Sequence, residues 1–317
     1  MPCSPVQAKA QVPEVAGTTA DAPLGDTAAY RPRRSVLYMP ASNERALEKA
    51  KTLPVDALIL DLEDAVAPDA KERARENACA AARSGEYGRR EVTIRVNGFG
   101  TRWHEDDLAA ACAAGPDGIV VPKVGSADEV RALVAAMEAA GAPERTKLWA
   151  MVETPAAMLH CEEIAAASDR LEVLVMGTND LAKELHAEHV PGRQPLLTGL
   201  SLCLLAARAT GTVILDGVFN DVVDAEGFAA ECRQGRQMGF DGKTLVHPGQ
   251  VETCNATFAP DEAAVEDARA VLAAWEAGAG TGVVTLNGRM VEALHVETAQ
   301  RVLAVHEAIT GLAADDA

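Results

Sequence analysis

Lys147-Leu148-Trp149-Ala150-Met151-Val152-Glu153-Thr154 and Glu172-Val173-Leu174-Val175-Met176-Gly177-Thr178-Asn179-Asp180 are two apolar runs that close on acidic residues. Their length and their Val and Leu content read as strands. Working outward from this pair, the same texture recurs at Val36–Pro40, Ala57–Asp64, Val92–Asn97, Gly118–Val124, Thr212–Val218 and Gly242–His247. Between these runs lie amphipathic, Ala-rich segments such as Asn43–Thr52, Lys71–Arg83, Ala127–Ala140 and Ala225–Met238. Strands alternating with helices give right-handed βαβ units and a parallel sheet. Eight such units predict an α/β fold, a (β/α)8 TIM barrel, with a C-terminal helical lid extension behind it. An open doubly wound sheet usually has fewer strands. The first run also leads into Tyr38-Met39-Pro40-Ala41-Ser42-Asn43, without the Gly-rich turn of a dinucleotide fold.

Both ends of the chain differ from this pattern. Residues 1–30 are rich in Ala, Pro, Thr and Gly, and are predicted to form a disordered tail. They lack the features of a secretory or transit signal. Residues 31–260 are assigned to the barrel and 261–317 to the appendage. In the appendage, Pro260 and Asp261 open a helix, followed by Gly278-Ala279-Gly280-Thr281-Gly282, a strand-like Val283–Leu286 and a last helix from about Val291 to Ile309. A Gly-rich joint with a helix beyond it predicts an element that moves over the barrel mouth or reaches a neighbouring subunit.

The 317 residues include 29 Lys+Arg and 47 Asp+Glu, a formal net charge of −18. A surface this acidic repels nucleic acid and anionic membranes, so neither is expected as a partner. An anionic small molecule remains compatible if cations cluster locally. Aromatics are only 3%, so the core must be mostly Ala, Val and Leu. The seven cysteines are odd in number and form no CxxC, which predicts free thiols and a cytoplasmic setting. The weakly polar run Gln194–Ala207 is shorter than the ~20 residues a bilayer span needs.

In a barrel of this type, chemistry sits where the strands end. Those ends carry Asp61-Leu62-Glu63-Asp64, Arg95-Val96-Asn97, Pro122-Lys123, Glu153-Thr154, Asn179-Asp180, Asp216 with Asn220-Asp221, and His247-Pro248. Glu153 and Asp180 end consecutive strands, which run about 4.8 Å apart. The two carboxylates could share one hard cation, and with no Cys or His at either position that favours Mg2+ over zinc. Each could equally cap the helix that follows it. Arg95 reads either as an ion-pair partner or as a hook for a substrate carboxylate or enolate. Arg31, Arg33, Arg34, Arg45 and Lys49 form the one basic concentration suited to a phosphate, or else a solvated face shared with Glu44 and Glu48. Gly242-Lys243-Thr244 lacks the upstream Gly of a P-loop, His186-Ala187-Glu188-His189 is not a zinc motif, and no Gly-x-Ser-x-Gly elbow is present.

Taken together the strand ends resemble the HpcH/HpaI aldolase and citrate lyase β-subunit-like family of CoA-ester lyases, of the malyl-CoA or citramalyl-CoA lyase type. The resemblance is carried by Arg34–Pro40, Asp61–Val66, Ile94–Asn97, Val121–Val124, Val152–Pro155, Gly177–Leu181, Gly239–Lys243 and Val246–Pro248, in order, with coverage from about 33 to 311. It implies that Glu153 and Asp180 hold Mg2+, with Mn2+ as the alternative, and that Arg95 and Glu153 bind the substrate near the bond that breaks. Glu63 and Asp64 would line the outer shell of the metal, Asp64 with a catalytic role. Tyr38, Arg45 and Lys49 would contact the nucleotide of coenzyme A, and Asn220 and Asp221 the pantetheine or thioester. Glu292, after Met290-Val291, stands where the family usually has Asp, as an acid delivered by a neighbouring subunit's lid. The implied reaction is carbon–carbon cleavage of a β-hydroxyacyl-CoA to an acyl-CoA and a 2-oxo acid, by a homotrimer or dimer of trimers. The alternatives are a malyl-CoA thioesterase, or a citrate lyase β subunit acting on citryl-acyl carrier protein.

Overall fold

A computed structural model describes residues 30–278 and 282–314. The expected tail at 1–29 and residues 279–281 of the Gly-rich joint lie outside the described residues. Eight parallel strands close in sequence order into a barrel: β1 (Ser35–Pro40), β2 (Ala57–Asp61), β3 (Glu91–Arg95), β4 (Gly118–Val121), β5 (Lys147–Val152), β6 (Leu171–Met176), β7 (Val213–Asp216) and β8 (Gly242–Leu245). β8 returns to β1 through Val36 opposite Thr244, which closes the ring. The predicted strands are therefore all present, but most end earlier than expected because the polar residues after them turn away from the sheet.

The barrel interior is stacked along its axis. At the end where the strands begin, Arg33 donates two hydrogen bonds to Glu91 at 2.6 and 2.7 Å, and its guanidinium lies 5.3 Å from the centre of the Trp149 ring. Trp149 fills the middle with Val36, Ile59, Val120, Met151, Val173, Val175 and Leu215. Gly118 makes room for it, since a Cβ there would come within 2.8 Å of the indole nitrogen. At the end where the strands stop, Asp61 of β2 faces Arg95 of β3 in direct register. The layer between strands and surrounding helices is a second, larger apolar core of Leu, Val, Ala and Met. The six described cysteines are buried and free.

Beyond the barrel, the helix Glu262–Ala277 is capped by Asp261, which accepts from the Ala264 N–H at 2.8 Å. A hairpin of β9 (Val284–Leu286) and β10 (Arg289–Val291) follows, and then the helix Ala293–Ala314. These elements share a small core of Ala268, Val271, Val291 and Ala299. The last helix is tied to the end of the barrel where the strands begin: Arg301 lies 2.9 Å from Asp241, just before β8, and Arg89 donates to the Gly311 carbonyl at 2.7 Å. Among the described residues no helix is long and apolar enough to cross a membrane.

Candidate active site

The carboxyl ends of the strands surround a cavity of about 330 Å3, lined by Tyr38, Asp61, Asp64, Arg95, Glu153 and Asp180 among others. Arg95 is the fixed point of this mouth. It is buried, and its Nε and Nη2 donate to the two oxygens of Asp61 at 2.6 and 2.7 Å. Its Nη1 lies 2.9 Å from Glu63 Oε2, and its guanidinium stacks 4.9 Å from the centre of the Tyr38 ring. Asp61 also accepts from the Glu63 and Ala65 N–H groups at 2.9 and 3.1 Å, so one carboxylate both orients the guanidinium and turns the chain out of β2. Burial, with Asp61 and Glu153 adding to it and Arg95 opposing it, pushes the Tyr38 hydroxyl well above its usual range, so the ring stays neutral.

Neither Glu153 nor Asp180 caps a helix. Thr154 caps the helix Pro155–Leu159, accepting from the Ala157 N–H at 3.1 Å. Gly177 occupies the cap position of the helix Thr178–Glu184 without a side-chain bond. Both carboxylates are thus left to the cavity. Glu153 is buried and Asp180 partly exposed. A Cβ at Gly177 would collide with the Glu153 side chain, so the absence of one is what lets that carboxylate lie there. Burial, with Asp180 and Glu63 adding to it, pushes the Glu153 carboxyl up to about 7. Burial likewise raises Glu63 to about 7 against the pull of Arg95. Such crowding of acids is relieved by a cation.

The residues present fit a divalent cation of the magnesium kind. Among the described residues no group of three or more His, Cys, Asp or Glu side chains forms a closed metal cage. Mg2+ commonly takes one or two carboxylates and keeps its other positions for water and substrate. Two oxygen-bearing side chains at an open mouth match that habit, and zinc, which prefers nitrogen and sulfur, is poorly served.

The other expected site residues fall in three places. Asp64 lies exposed on the wall of the mouth, and Glu63 stands behind it against Arg95. Asn220 and Asp221 line an adjoining cavity of about 510 Å3 that shares Val218 with the mouth. Asn220 and Asn179 exchange two side-chain hydrogen bonds at 3.2 and 2.8 Å, which link the two cavities. Arg45 and Lys49 are exposed on the helix Glu44–Ala50, whereas Tyr38 points into the mouth beside Arg95. The basic concentration does not converge. Arg33 is taken by Glu91 and Glu172, and Arg34 is held by both oxygens of Asp56. Glu292 is not among the residues of the mouth in its own chain. It precedes the last helix, its N–H donating to His295 Nδ1 at 3.1 Å. Two residues of consequence carried no assignment from sequence. Asp61 was readable only as one of three acids in the stretch 61–64, and Lys123 only as a polar strand end.

A sequence model described as HpcH/HpaI aldolase/citrate lyase matches residues 34–248, and one described as a C–C bond lyase of the TIM-barrel fold matches residues 196–309. The chain is 50% identical over 285 residues to a (3S)-malyl-CoA thioesterase of Cereibacter sphaeroides, covering 89% of this chain and 98% of that protein. It is 34% identical over 306 residues to an L-malyl-CoA/beta-methylmalyl-CoA lyase of the same organism, covering 88% and 96%. Among solved structures, CitE of Mycobacterium tuberculosis in complex with magnesium, acetoacetate and coenzyme A superposes with a TM-score of 0.71 at 30% identity, covering 86% of this chain and 97% of that one.

Proposed function

Because the chain belongs to the HpcH/HpaI aldolase/citrate lyase family, whose members include CoA-ester lyases and thioesterases, we propose that it hydrolyses a malyl-CoA-type thioester at the barrel mouth. The products are a 2-hydroxy dicarboxylate and free coenzyme A. The observation that carries the substrate class is the meeting, in one cavity, of a fixed guanidinium, Arg95, with two uncapped carboxylates, Glu153 and Asp180. The near full-length similarity to malyl-CoA thioesterases favours hydrolysis over carbon–carbon cleavage.

A divalent cation held by Glu153 and Asp180 would supply Lewis acidity at the hydroxy-acid oxygens. The rest is the work of the chain. Arg95, immobilised by Asp61, meets negative charge on the substrate without reorganising. Asp64 accepts a proton from the attacking water. The water oxygen bonds to the thioester carbon, the C–S bond breaks, and the proton passes to the departing thiolate. Asn220 and Asp221 flank the pantetheine, and Arg45 and Lys49 take the nucleotide phosphates.

A second reading is reversible carbon–carbon cleavage to acetyl-CoA and a 2-oxo acid. It is favoured by the C–C bond lyase match over residues 196–309 and by the similarity to a malyl-CoA lyase. Here Arg95 meets the charge of the departing enolate, and Glu292 protonates its carbon from a neighbouring copy in a homotrimer. One incubation distinguishes the two readings: (3S)-malyl-CoA with Mg2+, and in parallel Mn2+, with malate, free thiol, acetyl-CoA and glyoxylate measured together. Malate and free thiol in equal amounts are expected. Acetyl-CoA and glyoxylate without malate establish the second reading, and no turnover overturns both.

A further inference from the structure

Lys123 touches both carboxylates of the proposed metal pair. Its backbone N–H donates to Glu153 Oε1 at 2.7 Å, and its Nζ lies 3.5 Å from Asp180 Oδ1. The backbone reaches this arrangement with a φ of +55°. A residue with a long side chain seldom adopts that left-handed conformation, which Gly, Asn and Asp tolerate best. Lys123 is held there from the next residue, whose N–H donates to the Met151 carbonyl at 3.2 Å. Gly would make the same turn without strain, so the turn alone does not call for lysine. What lysine adds is an ammonium beside Asp180.

Arg95 and Lys123, the cations paired with Glu63 and Asp180, differ in freedom. Arg95 is buried and locked by Asp61 and Glu63. The Lys123 side chain is 48% exposed, and among the described residues its ammonium makes one long ion pair, so breaking that pair frees it. A divalent cation shared by Glu153 and Asp180 repels that ammonium while competing for the same carboxylate.

We propose that Lys123 is a positioning residue for the metal carboxylates, with its amide aiming Glu153 and its ammonium serving as an exchangeable counter-ion of Asp180 that a divalent cation displaces. The proposal rests on the reading of Glu153 and Asp180 as the metal pair. Its consequence is that Lys123 weakens metal affinity in the absence of substrate. A cation then binds more tightly once an anionic substrate arrives to offset its charge, which couples metal and substrate binding.

The test is a titration of the full chain with Mn2+ alone, reading the free ion by electron paramagnetic resonance. Lys123→Gln and Lys123→Gly both remove the ammonium and keep the N–H. They should bind Mn2+ about two- to fivefold more tightly than wild type, the span of a part-exposed ion pair. Lys123→Arg should restore the wild-type affinity. A structural role alone would not move metal affinity in this direction. Unchanged or weaker Mn2+ binding in both the Gln and Gly variants would overturn the counter-ion role. Glu153→Gln and Asp180→Asn should lose most of the binding; if they retain it, the metal-pair reading itself fails. A wild-type protein that takes up no Mn2+ overturns both.

Discussion

Replacing Asp61 by Asn changes one atom type at the most constrained point of the mouth. The carboxylate is fully buried and accepts four hydrogen bonds, two from Arg95 and one each from the Glu63 and Ala65 N–H groups. An amide has one oxygen to accept with, and its NH2 would face two donors, so at least two bonds are lost whichever way it turns. Arg95 would keep only the Glu63 ion pair for its buried charge. Removing one partner of a buried pair costs about 3–5 kcal/mol. Glu63 remains, so the lower end applies. At about 2 °C per kcal/mol for a chain of this size, the melting temperature should fall by roughly 6 °C. Turnover should fall further than stability suggests, because about 1 Å of drift in a positioning group can cost about 10²-fold in rate. Differential scanning calorimetry and kcat/KM on malyl-CoA, measured on the same preparation, check both parts. A melting temperature within a degree of wild type, together with unchanged kcat/KM, would show that Asp61 does not hold Arg95 and that the reasoning from burial is wrong.

Gly177→Ala places a Cβ against the Glu153 side chain. It should raise the Mn2+ dissociation constant about 10–100-fold, as loss of support around a metal ligand commonly does, while circular dichroism shows a folded barrel; unaltered Mn2+ affinity would mean that Glu153 does not bind from this position. Arg45→Glu should raise KM for the CoA ester and leave kcat at saturation nearly unchanged, since Arg45 is exposed and does not line the mouth; equal affinity for CoA esters in both proteins would remove the nucleotide from this helix. Glu292→Gln should slow solvent-deuterium exchange into the methyl group of acetyl-CoA by about 10²–10⁴-fold, the range for a general acid or base. Normal exchange would leave Glu292 as an acid before a helix and pass the protonation to Asp64.

The barrel was legible because its signal is repetitive: apolar runs punctuated by Ala-rich helices leave few ways to connect eight strands. Strand ends were less legible. The run Ala57–Asp64 ends as a strand at Asp61, because that side chain captures the next free N–H groups and curls the chain. The run Glu172–Asp180 ends as a strand at Met176, because Thr178 already opens a helix. Glu153 and Asp180 were found as polar stops on apolar strands. Asp61 and Lys123 escaped because their importance lies in register and in a backbone angle, which residue type does not encode.

The basic concentration failed as a unit for a geometric reason. Arg33 and Arg34 precede β1, and Arg45 and Lys49 follow it. Residues before and after a barrel strand stand at opposite ends of the barrel, separated by about 3.3 Å per residue along six residues, or roughly 20 Å. Nearness in sequence thus put at one site cations that the strand itself holds apart. The three arginines that precede β1 are engaged by Glu91, Glu172, Asp56 and Asp117 at the end where the strands begin. Within the basic concentration, phosphate recognition then falls to Arg45 and Lys49, two exposed cations on a chain of net charge −18. Two exposed charges give an affinity that salt readily screens. CoA-ester KM should accordingly climb with ionic strength in the wild type and lose that dependence when Arg45 and Lys49 are both replaced by Gln. A salt response that survives the double replacement would place the phosphates elsewhere.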